Sequence, residues 1–504
     1  MQFRKLLFTI IALSFSIVNG QCQAVSQNRP NILFIYTDDQ RYDALSLVQE
    51  AQAAKARFPW FKTPNIDRIG REGVRFSNSF VVNSLCSPSR AAFLTSQYNH
   101  QNGIANNHTE FTNTSPTYAT ELKKAGYATG FVGKWHMSNQ EGKRPGFDYS
   151  FSFFGQGRYQ DCPFQLNGEA IVQTKGWVDD ISTDSALAFI RRNEAHPFML
   201  ALAFKSSHGP WDPPARLANE FSDVALTPSG SEGHDVPYKG KVYAGRKENN
   251  KNGKAADSSL ARLSWTEKND KMIRNYFRVL KGVDENVGRI LDYLDSAHLS
   301  ENTVVIFSTD NGYFLGEHNL GDKRAAYEES MRTPLLVRFP ARFPQGAVVD
   351  KFVLNLDIAP TILDLAGIKA PSTFQGQSWA PLAEGKTVPW RASFLYEYFY
   401  ENNYNTPTIV ALRTETAKLV KYPGEEGWSE LFDLSKDSLE EHNLYNSPPA
   451  KALKTKMIAE LRKQEQLVGY KIPAYADKAL TDKKGHYIFP DSIAAQPLYN
   501  PGVN

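Results

Sequence analysis

Residues that could do chemistry follow four short apolar runs that the sequence predicts to be buried strands. They are Asp38 and Asp39, Lys134 and His136, His208, and Asp310 and Asn311. Because ligands of open parallel sheets bind beyond the carboxyl ends of the strands, we expect these groups to converge on one rim of a sheet. For any one acidic residue the alternative stays open that it caps the next helix.

Four of these residues, Asp38, Asp39, Asp310 and Asn311, offer only oxygen atoms to a metal. Carboxylate and amide oxygens suit hard cations such as Ca²⁺ or Mg²⁺, whereas zinc would call for His or Cys. Three carboxylates gathered without a cation would repel one another and raise their pKa values. The set therefore predicts a divalent-cation site, and the alternative is two distant pairs that each cap a helix.

Cys86 lies next to a predicted helix start, because Pro88 fits the first turn of a helix. Free N–H groups at that position attract anions and would lower the pKa of a thiol. Arg90, one turn later, adds a planar fork of donors, so the segment suits an anionic substrate. Three residues separate Cys86 from Arg90, which excludes a Cys-phosphatase loop, and a packed thiol is the alternative.

The elements that must position these groups alternate between β and α patterns, as in a mostly parallel sheet with helices on both faces. Strands are predicted at residues 31–36, 74–82, 127–132, 198–204 and 303–308. Thr63 and Pro64 predict a helix start as N-cap and first residue, and apolar positions from Ile273 to Leu294 predict a long amphipathic helix.

After a composition shift at residues 381–389, the sequence predicts a smaller C-terminal α+β subdomain with its own sheet. Its strand-like runs are residues 392–400 and 409–422, and a polar helix is predicted at residues 449–467. Residues 227–259, rich in Gly, Lys, Asn and Ser, are predicted to form a long surface insertion.

Composition excludes several classes of protein. With 504 residues, 41% apolar and 22% charged, the chain can bury a sizeable core, and a net charge of +3 is too small for a nucleic-acid-binding protein. No apolar run reaches the length of a membrane span. Three cysteines do not make a disulfide framework, and the context of Cys86 argues against a bridge to Cys162.

The N-terminus carries basic residues followed by an apolar run at residues 6–18 and then Asn19 and Gly20. This pattern predicts a signal peptide over residues 1–20 and an exported protein, periplasmic or secreted. Cys22 raises the alternative of a lipid anchor, but Gln21 is larger than the residue that normally precedes a lipidated cysteine, so simple export is favoured.

Cys86-Ser-Pro-Ser-Arg90, followed by Ala-Ala-Phe-Leu, resembles the signature of the type I sulfatases, which are formylglycine-dependent enzymes of the alkaline-phosphatase superfamily. Further segments between residues 31 and 446 resemble the family in the same order: residues 32–39, 133–136, 309–312, 315–318, 322–324 and 430–434. One departure is Ser96, where the signature usually has Gly.

The resemblance implies an alkaline-phosphatase-like α/β fold, in which helices sandwich a large mostly parallel sheet. With the boundary at the composition shift, we expect a catalytic domain over residues 28–383 and a C-terminal subdomain over residues 384–504. The resemblance also implies that a separate formylglycine-generating enzyme oxidises Cys86, and that Ca²⁺, rather than Mg²⁺, is bound by Asp38, Asp39, Cys86, Asp310 and Asn311.

The same resemblance implies hydrolysis of a sulfate ester by the hydrated formylglycine, with release of inorganic sulfate. Arg90 would help to deprotonate the attacking hydroxyl, and Lys134 would bridge it to the sulfate. His136 would be the base that releases the product, while His208 and Lys323 would protonate the leaving alcohol or hold the sulfate.

Residues 205–213 and 315–318 look more like polysaccharide sulfatases than like lipid or steroid sulfatases. We therefore expect a sulfated carbohydrate as substrate, a polysaccharide or its oligosaccharides. Trp211, Tyr313, His318 and Arg324 are candidate sugar contacts, each with the alternative of packing a pocket wall. Two other functions stay open: a phosphonate or phosphodiester hydrolase of the same superfamily, and a noncatalytic protein that binds sulfated glycans.

Overall fold

The computed structural model describes residues 29–111, 114–138, 140–231, 234–239, 267–401, 404 and 406–473. The predicted signal peptide at residues 1–20, Cys22, and residues 240–259 of the predicted insertion lie outside the described residues. No helix among the described residues is long and apolar enough to cross a membrane.

The described part of the chain contains strands that belong to three sheets. In chain order they are β1 (Asn31–Thr37), β2 (Val74–Phe80), β3 (Ala128–Lys134), β4 (Tyr149–Phe153), β5 (Phe164–Leu166), β6 (Ala170–Val172), β7 (Phe198–Ala203), β8 (Thr303–Thr309), β9 (Phe314–Leu315), β10 (Gly321–Asp322), β11 (Arg332–Arg338), β12 (Ala347–Val349), β13 (Val353–Leu354), β14 (Ser393–Tyr398), β15 (Ile409–Thr414), β16 (Ala417–Lys421) and β17 (Glu430–Asp433).

The α-helices of the same residues lie between these strands. They are α1 (Ser46–Gln52), α2 (Pro64–Arg71), α3 (Cys86–Thr95), α4 (Asn99–Asn102), α5 (Tyr118–Lys124), α6 (Val178–Asn193), α7 (Glu267–Ser296), α8 (Glu328–Met331), α9 (Ile358–Leu365), α10 (Ala380–Ala383) and α11 (Lys451–Val468).

The large sheet has the strand order β12-β2-β11-β8-β1-β7-β3-β4-β5-β6, and β13 also pairs with β2. The central strands β8, β1, β7, β3 and β4 run parallel, whereas β11, β5 and β6 pair antiparallel to their neighbours. The predicted fold class is confirmed, with a mixed sheet that is parallel at its centre.

Strand β1 shows why the centre of the sheet is apolar on both faces. Ile32, Phe34 and Tyr36 pack into the core on one face, and Leu33 and Ile35 pack into the core on the other. Side chains alternate between the faces of a strand, and a strand covered by helices on both sides is therefore continuously apolar.

Helix α2 begins at Pro64 as predicted, but its cap differs from the prediction. The Thr63 side chain donates to Asp67 instead of accepting from the first turn. Asp284 of α7 accepts from the backbone N–H groups of Asn65 and Ile66 at 3.0 and 2.9 Å. The first turn of α2 is thus capped by a helix distant in sequence.

The C-terminal part forms an antiparallel sheet in the order β14-β15-β16-β17, against which α11 packs through Met457 and Leu461. The run predicted at residues 409–422 is a hairpin of β15 and β16, and the boundary at residue 384 stays a prediction. Val236 and Tyr238 are each only 2% exposed and pack against this sheet. This part of the predicted insertion is therefore a core segment, because its apolar side chains cover the C-terminal sheet.

Candidate active site

The parallel register of the central strands brings the predicted acidic residues together. Thr37 and Thr309 are paired neighbours at the ends of β1 and β8, so the residues that follow lie side by side. The carboxylate oxygens of Asp38, Asp39 and Asp310 lie within 4.8 Å of one another. All three side chains are buried, so the alternative of two distant helix caps does not hold.

The donor chemistry of this cluster fits a hard divalent cation. Asn311 Nδ2 donates to Asp39 at 2.6 Å, while the Asn311 Oδ1 atom is buried and accepts no hydrogen bond from the described residues. Burial, together with the charges of Asp38 and Asp310, raises the pKa of Asp39 to about 7 against the opposing effect of Lys323. A cation bound to these oxygens would relieve both the repulsion and the unpaired amide oxygen.

Cys86 is the first residue of α3 and is completely buried. Its Sγ atom lies 3.6 Å from Asp38 Oδ1 and 4.0 Å from Lys134 Nζ. The predicted lowering of its thiol pKa is wrong: burial and the charge of Asp38 raise the pKa, and Lys134 only partly offsets them. In addition, Asn107 Oδ1 accepts from the Ser87 backbone N–H at 3.0 Å, so the helix start is less electropositive than predicted.

Arg90 faces the acidic cluster. Its Nε and Nη2 atoms donate to Asp310 and Asp38, both at 2.8 Å, and its Nη1 atom donates to the backbone carbonyl of Lys134. The side chain is 1% exposed and lies over the Tyr36 ring at 5.1 Å. Arg90 therefore orients two predicted metal ligands, and its donors are occupied by protein atoms.

Two lysines donate to two different carboxylates of the acidic cluster. Lys134 Nζ, at the end of β3, donates to Asp38, and Lys323 Nζ donates to Asp39 at 2.8 Å. Burial alone would lower the pKa of Lys323, but Asp39 and other nearby groups outweigh it and raise the pKa above its usual range. Lys323 is thus a charged donor next to the acidic cluster.

The two predicted catalytic histidines differ in exposure. The His208 side chain is 19% exposed, and its Nδ1 atom donates to the Gly209 carbonyl at 2.6 Å while Nε2 lies 3.9 Å from Asp39. His136 is only 5% exposed and has a left-handed backbone, with φ of 45°. Burial lowers the pKa of both histidines, and the charge of Lys134 lowers it further. His208 therefore lies at the opening of the site and His136 lies behind it.

Comparison with known proteins decides the family. Residues 30–368 match the family described as Sulfatase, and residues 316–467 match the one described as N-sulphoglucosamine sulphohydrolase, C-terminal. This chain belongs to the sulfatase family. It is a sulfuric ester hydrolase, and the family generally uses formylglycine and a divalent metal.

Among the relatives of this sulfatase, N-acetylglucosamine-6-O-sulfatase of Bacteroides thetaiotaomicron is 31% identical, over 92% of this chain and 90% of the relative. Human N-acetylglucosamine-6-sulfatase is 28% identical, over 77% of this chain and 71% of its own. A structure solved with its substrate D-glucosamine-2-N,6-O-disulfate has a TM-score of 0.77 and 28% identity, covering 88% of this chain and 98% of that one. Phosphonate monoester hydrolase of Agrobacterium radiobacter, at 20% identity and a TM-score of 0.69, shares the fold.

The candidate sugar contacts of the sulfatase do not all face the site in the same way. Trp211 and Tyr313 are half-buried, with ring centroids 5.9 Å apart. His318 is completely buried, and its ring stacks on Tyr327 at 4.0 Å. The predicted contact of His318 with a sugar has no support in this arrangement, because the ring is turned into the core.

Arg324 lies at the edge of the site next to Lys323. Its Nη1 atom donates to Asp322, and its guanidinium lies 3.4 Å from the centroid of the Tyr404 ring. The Nη2 atom is 3.7 Å from Glu401. Neither Glu401 nor Tyr404 was predicted, because both belong to the loop between β14 and β15 and no local pattern links that loop to the catalytic strands.

Gln156 is a second residue that the sequence did not reveal. Its side-chain amide lies between Lys134 and His136, and its backbone carbonyl accepts from Lys205 Nζ at 2.9 Å. Gln156 follows β4, which is parallel to β3. Ligands bind beyond the carboxyl ends of parallel strands, so a prediction of β4 would also have indicated Gln156. The alternation in Tyr149-Ser-Phe-Ser-Phe153 is the signal that was available.

Proposed function

We propose that this sulfatase removes the 6-O-sulfate group from an N-acetylglucosamine residue of a sulfated polysaccharide or of its oligosaccharides. The observation that carries the proposal is the position of Cys86, with Asp38 at 3.6 Å and Lys134 at 4.0 Å in a cluster whose oxygens fit a divalent cation. The two N-acetylglucosamine 6-sulfatases among the relatives support the choice of sugar.

Asp38, Asp39, Asp310 and Asn311, together with the modified Cys86, would hold the metal, and Ca²⁺ suits this oxygen-only set. Oxidation of Cys86 by a formylglycine-generating enzyme would supply an aldehyde hydrate as nucleophile, and a bound cation lowers the pKa of an adjacent hydroxyl. Arg90 keeps Asp38 and Asp310 oriented through its two 2.8 Å contacts.

The buried lysines and the more exposed histidine are assigned different catalytic roles. Lys134 and Lys323, 0% and 3% exposed, place positive charge where the sulfate oxygens gain negative charge, commonly a large catalytic contribution. His208 is the group at the opening, where the sugar alcohol departs, so we assign it or Lys323 to protonate the leaving oxygen. His136 is assigned to proton transfer during release of sulfate.

The sugar ring would lie beside Arg324 and Trp211. The Nε atom of Arg324 and the Oε2 atom of Glu401 are buried and make no hydrogen bond with the described residues. A donor and an acceptor without hydrogen-bond partners suit the hydroxyl groups of a sugar. Residues 1–20 support export to the periplasm or the exterior, where such polymers occur.

The test is sulfate release from four esters in the presence of Ca²⁺: N-acetylglucosamine 6-sulfate, its galactosamine epimer, the 3-sulfate and an aryl sulfate. We expect kcat/KM for N-acetylglucosamine 6-sulfate to exceed the values for the other two sugars by about ten-fold or more, since a hydrogen-bonding site rejects a misplaced hydroxyl. Arg324→Leu should lower kcat/KM for the sugar esters about ten-fold more than for the aryl sulfate.

Arg342→Leu is the matched control, because Arg342 is 36% exposed and pairs with Glu384 on the surface. Equal turnover of the three sugars by the parent, or an equal effect of Arg324→Leu on all four esters, would contradict the assigned sugar site.

A further inference from the structure

The side-chain amide of Gln156 connects two groups that the reaction is proposed to use. Gln156 Oε1 accepts from Lys134 Nζ, and Gln156 Nε2 lies 3.0 Å from His136 Nε2. Lys205 Nζ donates to the backbone carbonyl of Gln156 and also lies 4.8 Å from the centroid of the Tyr159 ring. A half-buried side chain on an anchored backbone thus bridges the sulfate-binding lysine and the proposed proton carrier.

The chemistry of the two contacts fixes the orientation of the amide. An ammonium group can only donate, so the atom that faces Lys134 must be the carbonyl oxygen of Gln156. The amide nitrogen then faces His136, and because it also can only donate, His136 Nε2 must accept.

A neutral imidazole has one N–H, so the proton of His136 lies on Nδ1. Burial together with the charges of Lys134 and Arg90 keeps the pKa of His136 well below its ordinary value, which makes the ring neutral at neutral pH. The Nδ1 atom is buried and makes no hydrogen bond with the described residues, so its N–H has no acceptor among them.

We propose that Gln156 is a positioning residue of the sulfatase reaction, which holds Lys134 in place and fixes His136 as the Nδ1-protonated tautomer. In this state His136 offers a hydrogen-bond donor and no free lone pair. The role of base proposed for His136 then requires that Gln156 first releases Nε2. The kinetic part of this inference rests on the proposed function, whereas the tautomer does not.

The tautomer is tested on the purified protein with ¹⁵N-labelled histidine, in long-range ¹H–¹⁵N spectra recorded without substrate. His136→Gln identifies the signals of the ring. We expect the Nδ1–H pattern for the parent and the Nε2–H pattern for Gln156→Glu, because a carboxylate accepts from both neighbours. An Nε2–H pattern in the parent, or an unchanged pattern in Gln156→Glu, would overturn the proposal.

The kinetic test is Gln156→Met, which keeps the volume of the side chain and removes both contacts. We expect kcat for sulfate release to fall about 10²-fold while KM changes less than about three-fold, as for loss of a positioned proton-transfer group. Gln160→Met, an exposed position in the same segment, should keep the parental kcat. A parental kcat in Gln156→Met would refute the positioning role. A parent that releases no sulfate yet shows the Nδ1–H pattern would contradict the proposed substrate alone.

Discussion

Replacing Arg90 by Met tests how far the acidic cluster depends on a neighbouring cation. The Arg90 side chain is 1% exposed and its two carboxylate partners, Asp38 and Asp310, are 0% exposed. Removing one partner from a buried ion pair leaves the other charge without compensation, which costs about 3–5 kcal/mol. In Arg90→Met both carboxylates lose their guanidinium contacts at once, and only Asp38 keeps a paired cation, Lys134, so we expect a loss at the upper end of that range.

The expected change in melting temperature follows from the size of the chain. At about 2.1 cal/mol/K per residue, the unfolding entropy of a protein of this length is roughly 1 kcal/mol/K. A loss of about 5 kcal/mol therefore lowers Tm by about 5 °C. Differential scanning calorimetry in EDTA would measure it.

Arg68→Met is the matched control. Arg68 also contacts two carboxylates, those of Asp292 and Asp295, but these are 72% and 41% exposed. Exposed ion pairs contribute at most about 1 kcal/mol, so Tm should fall by about 1 °C or less. A ligand that binds only the folded state stabilises it by mass action. Ca²⁺ should therefore raise Tm more in Arg90→Met, in which Asp310 has lost its guanidinium partner, than in the parent.

Two results would refute this reasoning. One is a Tm of Arg90→Met in EDTA that equals the Tm of Arg68→Met. The other is the same Ca²⁺-induced increase in Tm in the parent and in Arg90→Met.

Three further predictions concern the elements that support the site. Burial alone would lower the pKa of His100, but its 2.6 Å contact with Glu397 outweighs this effect and raises the pKa. The stability gained from this contact should be complete below the unfolded-state pKa of about 6.5, and it should be lost as pH rises through the folded-state pKa. Urea unfolding at a series of pH values should show this decrease in the free energy of unfolding in the parent and not in His100→Gln. The same pH dependence in both proteins would contradict the prediction. Asp284→Ala, which removes the cap of α2, should lower the free energy of unfolding by about 2 kcal/mol, whereas the exposed Asp292→Ala should change it by less than about 0.5 kcal/mol. Ser96 has a left-handed φ of 54°, and its side chain hydrogen-bonds to the Leu356 carbonyl and the Gly376 N–H. Ser96→Gly should relieve about 1 kcal/mol of backbone strain but lose both hydrogen bonds. Urea unfolding should therefore show a free energy of unfolding about 1 kcal/mol lower than that of the parent, and an increase would contradict the prediction.

The residues whose convergence the sequence predicted correctly are those whose place follows from strand order. Asp38 and Asp310 lie together because β1 and β8 are parallel neighbours, and the apolar runs that form these strands are visible in the sequence. Ser96 departs from the family signature at the position that ends α3 in a left-handed conformation, where Gly is the usual residue.

What the sequence could not reveal depends on contacts between distant segments. The α2 cap is provided by Asp284, more than 200 positions away, and no local pattern indicates it. The thiol pKa of Cys86 was predicted in the wrong direction because burial and Asp38 outweigh the helix start. The resemblance of its motif to the family predicts a sugar contact for His318, whereas the His318 ring stacks on Tyr327 and points into the core.

The most direct test of the proposed chemistry combines two readings on one preparation: the mass of the peptide that contains Cys86, and sulfate release from N-acetylglucosamine 6-sulfate with Ca²⁺. We expect the peptide to carry formylglycine, and we expect the sulfate released by the parent to be abolished in Cys86→Ala. Full modification of Cys86 without any sulfate release from this ester, or undiminished release by Cys86→Ala, would contradict the account.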